Sequence, residues 1–130
     1  MAVYRVGTDL SPDTSFGDEG VVLLDLGGDE EGTAVAEATD GSLVVAGRAS
    51  AAGAEGYWRG QPQGIWLVRL LTDGSQDAAF ANGELLFAGE DARAAALVAT
   101  TSGKFVLASN HFEGEMNLGC RLSRLTPDGH

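Results

Sequence analysis

A stretch of chain that recurs in the same order, with each copy too small to bury an apolar face alone, restricts the fold strongly. Neighbouring copies must then share a core. Here TDLSPDTSFGDEG (Thr8 to Gly20) matches TDGSQDAAFANGE (Thr72 to Glu84), with Phe16 and Phe80 standing 64 residues apart. The segment before it occurs three times, as VYRVGTD (Val3 to Asp9), LVRLLTDG (Leu67 to Gly74) and LSRLTPDG (Leu122 to Gly129). Each copy places an arginine at the same point: Arg5, Arg69 and Arg124. A further pair is ATDGSLVVAG (Ala38 to Gly47) with TTSGKFVLAS (Thr100 to Ser109). Matches in a common order define tandem units.

Each unit reads as four short strands. The first has VVLLDL (Val21 to Leu26), TAVAEAT (Thr33 to Thr39), SLVVAGRA (Ser42 to Ala49) and GIWLVRLL (Gly64 to Leu71). These runs are short, apolar and rich in β-branched or aromatic residues, which favours strands. The break TDGS (Thr39 to Ser42) is a hairpin signal, since Asp-Gly accepts the positive φ of a tight turn. The second unit has ELLFA (Glu84 to Ala88), AAALVAT (Ala94 to Thr100), KFVLAS (Lys104 to Ser109) and GCRLSRL (Gly119 to Leu125). DARAAALVA has helical propensity, but its match to a strand of the first unit assigns it as a strand. The chain divides into the last strand of a preceding unit (residues 1–7), one unit at 8–71, a second at 72–126, and residues 127–130, the start of a further unit or a tail.

Four-stranded antiparallel units of this size in tandem describe propeller blades. RVGTDLSPDTSFGDEG, GGDEEGTAVAEATDGSLVVAG and IWLVRLLTDGSQDAAFANG follow the pattern RLxxDGSxDxSFGxxG, an acidic Gly-rich turn, then AVAxxxDGxxVVAG. That pattern resembles the delta-60 repeat, a bacterial propeller-like repeat. The second unit departs from it where Ala79 and Ala81 replace Ser and Gly and where Gly83 falls one place early. The resemblance implies a repeat module of a larger, often secreted or surface-associated protein, and it brings no catalytic residues. The expected fold is all-β: two propeller-like four-stranded units plus an extra N-terminal strand, forming a partial propeller or packed sheets. Two blades cannot close a ring, so the expected settings are a longer propeller or association with other copies.

Eight basic against nineteen acidic residues give a net charge of -11. Such a surface repels nucleic acid and anionic membranes, so neither is an expected partner. A protein partner, further repeats of a longer propeller and a homo-oligomer are the expected alternatives. No segment approaches the roughly 20 apolar residues of a membrane helix, and no signal peptide is visible. The expected location is cytoplasmic if the chain is complete, and secreted or surface-associated if it is a fragment. The single cysteine, Cys120, leaves no internal disulfide and reads as a small buried strand residue.

The repeated loops space oxygens at Asp9 and Asp13, and again at Asp73 and Asp77, which makes them weak candidates for metal. They lack the central glycine and closing glutamate of a calcium loop. The favoured reading has these side chains bonding the turn backbone, Phe16 and Phe80 plugging the core, and the repeated arginine holding a loop carboxylate. The acidic turns GGDEEG (Gly27 to Gly32) and AGED (Ala88 to Asp91) fall at the same end as two long loops, residues 50–64 and 110–119. Asp29, Glu30, Glu31, Tyr57, Trp58, Arg59, Glu90, Asp91, His111 and Phe112 therefore form a candidate ligand site for a carbohydrate or calcium. Two histidines and one cysteine assemble neither a triad nor a three-histidine zinc site. No cofactor and no catalysis are expected, with a lyase-like or glycosidase-like propeller as the remote alternative. A non-catalytic structural or interaction module is the leading expectation.

Overall fold

The computed structural model describes residues 1–26, 30–50, 63–83, 91–113 and 116–130. Its strands are β1 (Ala2–Tyr4), β2 (Val21–Leu23), β3 (Glu30–Glu37), β4 (Leu43–Ser50), β5 (Gln63–Leu70), β6 (Asp91–Ala99), β7 (Phe105–Glu113) and β8 (Met116–Leu125), with one 3-10 turn at Phe80–Gly83. Every pairing is antiparallel. The strands form a β1-β2 sheet, a β3-β4-β5 sheet and a β6-β7-β8 sheet. The all-β class of packed, propeller-like sheets is therefore what the chain adopts. One pairing differs from the simplest form of the unit, because Val21–Leu23 joins Ala2–Tyr4 and not the sheet that follows. The cause is local: Arg5 N–H bonds Gly20 O at 2.9 Å and Asp13 N–H bonds Arg5 O at 3.0 Å, so the loop between β1 and β2 is a closed reversal.

The middle sheet is covered on both faces, which explains why its strands are near-continuous apolar runs instead of alternating ones. Val45, Trp66, Val68 and Leu70 face the first sheet and enclose Phe16 and Leu24. Val44, Ala46, Ile65 and Leu67 face the third sheet, meeting Ala92, Ala94, Leu97, Phe105, Leu107 and Leu125. Alanines at this second interface let the two sheets approach closely. Trp66 lies across Gly47, where a Cβ would come 2.4 Å from the indole ring, so the tryptophan there requires a glycine beside it. Phe80 and Phe105 meet edge to face, with centroids 6.0 Å apart.

DARAAALVA is strand β6, as its repeat position requires. Two expectations change. The stretch 110–119 is largely not a loop, because β7 runs to Glu113 and β8 starts at Met116. The ladder absorbs the mismatch by shifting register between His111 and Phe112, and Gly119 takes a positive φ opposite His111. Cys120 is exposed and not a buried filler, since it stands on the face of the third sheet that no described element covers.

Phe105→Ala removes a ring that is 1% exposed, and it should cost about 3–5 kcal/mol in urea unfolding. Leu122→Ala, at 73% exposure on the outer face of the third sheet, should stay within about 0.5 kcal/mol of wild type in the same experiment.

Candidate functional site

Among the described residues one five-residue turn occurs five times. In each, the first N–H bonds the fifth C=O and the fourth N–H returns to the first C=O, at Gly7 to Ser11, Ala38 to Ser42, Leu71 to Ser75, Thr100 to Lys104 and Thr126 to His130. The fourth residue is left-handed: Leu10 at φ 66°, and glycines 41, 74, 103 and 129 between 77° and 93°. In the first three turns an aspartate accepts from the N–H and hydroxyl of the serine two places on, as Asp9 does from Ser11, Asp40 from Ser42 and Asp73 from Ser75. Thr100 and Thr126 do similar work from the first position, accepting from the N–H of Lys104 and of His130. Short polar side chains stabilise such turns by bonding their own backbone.

These turns also join the units. Asp73 O accepts from Gly17 N–H at 2.8 Å, and Asp128 O accepts from Ala81 N–H at 2.7 Å. Each unit's Asp-Gly turn therefore rests on the residue that follows the plug phenylalanine of the unit before. At Gly74 a Cβ would lie 2.5 Å from Gly17 N, so this contact demands a glycine for space as well as for φ. Ala81 stands where the pattern has glycine and keeps its geometry, at φ 54° against 60° for Gly17. The departure noted in the second loop therefore leaves the junction intact, at the expense of a strained alanine.

Arg5 and Arg69 each take the carboxylate that their surroundings offer. Arg5 Nε donates to Asp13 Oδ2 at 2.8 Å and its Nη2 to Ser15 Oγ at 3.2 Å, while the guanidinium sits 4.4 Å from the centroid of Phe16. In the second loop Ala79 replaces Ser15 and offers no hydroxyl. Arg69 turns to the neighbouring hairpin, donating to Asp40 Oδ2 at 2.7 Å and Ser42 Oγ at 2.9 Å, with Asp77 Oδ2 at 4.0 Å and the Phe80 centroid at 5.7 Å. It also reaches Pro127 O at 3.3 Å in the next unit's turn. Arg69, Asp77, Phe80, Pro127 and Asp128 line an open cavity of about 230 Å³ at this junction. Asp40 and Ser42 carry out the work expected of Asp77, and their only sequence signal was the DGS hairpin.

The carboxyls of Asp9, Asp40 and Asp73 are held below the usual aspartate value, first by the hydroxyl of the serine two places on and then by its N–H. Ser15 does the same for Asp13, with Arg5 a smaller cause, and Thr126 does it for Asp128. The candidate metal acids are thus occupied by turn hydrogen bonds. Among the described residues no three His, Cys, Asp or Glu side chains gather as a metal site.

The candidate ligand site is only partly within the described residues. Asp29, Tyr57, Trp58, Arg59 and Glu90 lie outside them, as does the side chain of Asp91. Glu30 and Glu31 belong to β3, and Glu30 accepts from Leu26 N–H at 2.9 Å. His111 is buried in β7 with Nε2 2.9 Å from Ser109 Oγ, and Phe112 lies under the Arg93 guanidinium at 4.9 Å. Register places Glu30 opposite Ala49 and Asp91 opposite Phe112.

A family model described as a domain of unknown function (DUF5122) beta-propeller matches residues 38–80. The match begins at the Asp40 turn and ends at Phe80, so it spans β4, β5, Arg69 and the junction turn. Over those residues the chain is similar to a propeller-type repeat. No curated protein and no solved structure matches it.

Gly74→Ala should lower stability by about 2 kcal/mol or more in denaturant unfolding, through left-handed strain plus collision with Gly17. Leu10→Gly relieves the same strain at an exposed site and should raise stability by up to about 1 kcal/mol. Because the folded-state pKa of Asp73 is depressed, its charge contributes stability above the ordinary aspartate value of 3.8, and that contribution is lost as pH falls through the folded value. Asp73→Asn should therefore unfold at a lower urea midpoint than wild type near neutral pH, and the difference should close in acid below 3.8.

Proposed function

We propose that this chain is a non-catalytic structural or protein-interaction module built of propeller-type repeats. The observation that carries the reading is the commitment of its polar groups. Asp9, Asp13, Asp40 and Asp73 are bonded to turn hydroxyls and N–H groups, and Arg5 and Arg69 are bonded to Asp13 and Asp40. Side chains engaged in this way hold one unit against the next, and removing them for use on a ligand would cost the turn its hydrogen bonds. The bacterial delta-60-like pattern in the same loops supports a scaffold reading as well. Partners of such a module are other protein surfaces, approached through the sheet faces and edges that the stack leaves exposed.

Thermal unfolding with millimolar calcium, with a chelator and with a panel of mono- and oligosaccharides tests the reading. The expected result is a melting temperature unchanged by every addition, while Asp13→Ala and Asp40→Ala each lower it by a few degrees. A saturable rise with calcium or one sugar would overturn the reading in favour of a ligand-binding module.

A further inference from the structure

The stack of sheets ends in two exposed apolar faces, and the two are not alike. At one end, the face of the first sheet pointing away from the middle sheet carries Ala2, Tyr4, Val21 and Leu23, with Val6 just beyond; Tyr4 and Leu23 are 71% and 80% exposed. At the other end, the outer face of the third sheet carries Ala96, Val98, Val106, Ala108, Cys120 and Leu122. Val98 is 59% exposed and Leu122 73%. Contiguous apolar sheet faces of this kind mark contact surfaces.

The repeat states what covers such a face. Val106, Ala108, Cys120 and Leu122 stand where the middle sheet has Val44, Ala46, Ile65 and Leu67. Those four residues are all buried, and what buries them is the inward face of the next sheet. In the same correspondence Ala2, Tyr4 and Val6 stand where β5 has Trp66, Val68 and Leu70, the residues turned toward the preceding sheet. The outer face of the third sheet thus corresponds to the forward face of the middle sheet, and that of the first sheet to its backward face.

Charge sets the polarity. Asp9, Asp13, Asp18, Glu19 and Asp25 accompany a single base, Arg5, in residues 1–26. Residues 91–130 hold half of the chain's basic residues, Arg93, Lys104, Arg121 and Arg124, against the acids Asp91, Glu113, Glu115 and Asp128. Where Arg69 finds Asp40 and Ser42, the corresponding places beside Arg124 are Ser102 and Lys104. Arg124 is exposed and has no ion pair among the described residues. Like charges keep two acidic backward faces apart, while Arg124 on the forward face attracts the acidic turns of a backward face.

We propose that the forward face of the third sheet binds the backward face of a second copy of this chain, head to tail, with Arg124 beside the acidic Asp9 turn of the incoming copy. This rests on the interaction-module reading. The contact is heterologous, so each copy uses two different surfaces. It differs from the internal junctions at two points, the first being that residues 126–130 supply no counterpart of the plugs Phe16 and Phe80. At the second, the incoming turn presents Leu10 where Gly74 and Gly129 admit a neighbouring backbone, so the sheet faces carry the contact and the turn does not.

Sedimentation of the full chain from about 1 to 200 µM tests this, because a self-associating chain gains mass with concentration. A backward-face double variant, Tyr4→Glu with Leu23→Glu, and a forward-face variant, Leu122→Glu, alter exposed side chains, and circular dichroism checks that each folds. Wild type should associate, each variant alone should stay monomeric, and an equimolar mixture of the two should form dimers and nothing larger, because one working face of each kind remains. Arg124→Glu should weaken wild-type association by about tenfold at low salt. A wild type that stays monomeric throughout, a single-face variant that still associates, or a mixture that stays monomeric would each overturn the proposal. A monomer whose melting temperature ignores ligands removes only self-association, whereas a ligand-dependent shift removes the module reading whatever the mass.

Discussion

The peptide hydrogen bond from Gly17 N–H to Asp73 O, with its repeat from Ala81 N–H to Asp128 O, is the constraint on which the stack depends. A bond between two backbones fixes their separation to a few tenths of an ångström, and at that separation one residue cannot carry a side chain. Gly74 satisfies the requirement and takes the left-handed conformation that the turn needs as well. Once the turn is seated, the plug phenylalanine before it is pinned. Arg5 after β1 and Arg69 in β5 then each lie over an aromatic face on one side and beside a carboxylate on the other. Charge, ring and turn are consequences of where the backbone is held.

That hierarchy explains which substitutions the units tolerate. Ala79 in place of Ser15 costs an acceptor, and the arginine finds another in the adjacent hairpin. Ala81 in place of a glycine costs backbone strain, and the turn keeps its shape. Exposed ion pairs contribute little individually, so their exchange between units is cheap. Backbone contacts and left-handed positions are not exchangeable, and they recur in every described copy.

Much of the fold was legible because it is repeated. β6 has helical propensity, and only its match to the first unit identified it as a strand. Phe16 and Phe80 were legible as plugs, being large apolar residues at a fixed place in otherwise polar loops. The pairing of β2 with β1 was not legible, since a repeat in sequence can be cut at any point and does not announce which strand bonds which. Residues 110–119 read as a loop because Asn, Glu and Gly dominate them, yet a two-stranded ladder needs no apolar residues where it extends past the core. The bulge at His111 has no sequence signature. Of the site, an arginine holding a loop carboxylate was legible, while the role of Asp40 was not, because its partner comes from a strand 29 residues away.

Burial of the middle sheet on both faces has a consequence for how the molecule comes together. Each three-stranded sheet is a meander of neighbouring segments, so its pairing needs no distant chain. Its apolar faces, however, gain nothing until another sheet arrives. The outer sheets each have one covered face and the middle sheet has two, so the middle sheet is the element whose loss disconnects everything else. Cooperativity in this chain therefore runs outward from β4 and β5, and a weakness there would be felt at both ends, whereas a weakness in β1 or β8 would fray one end and leave the remainder folded.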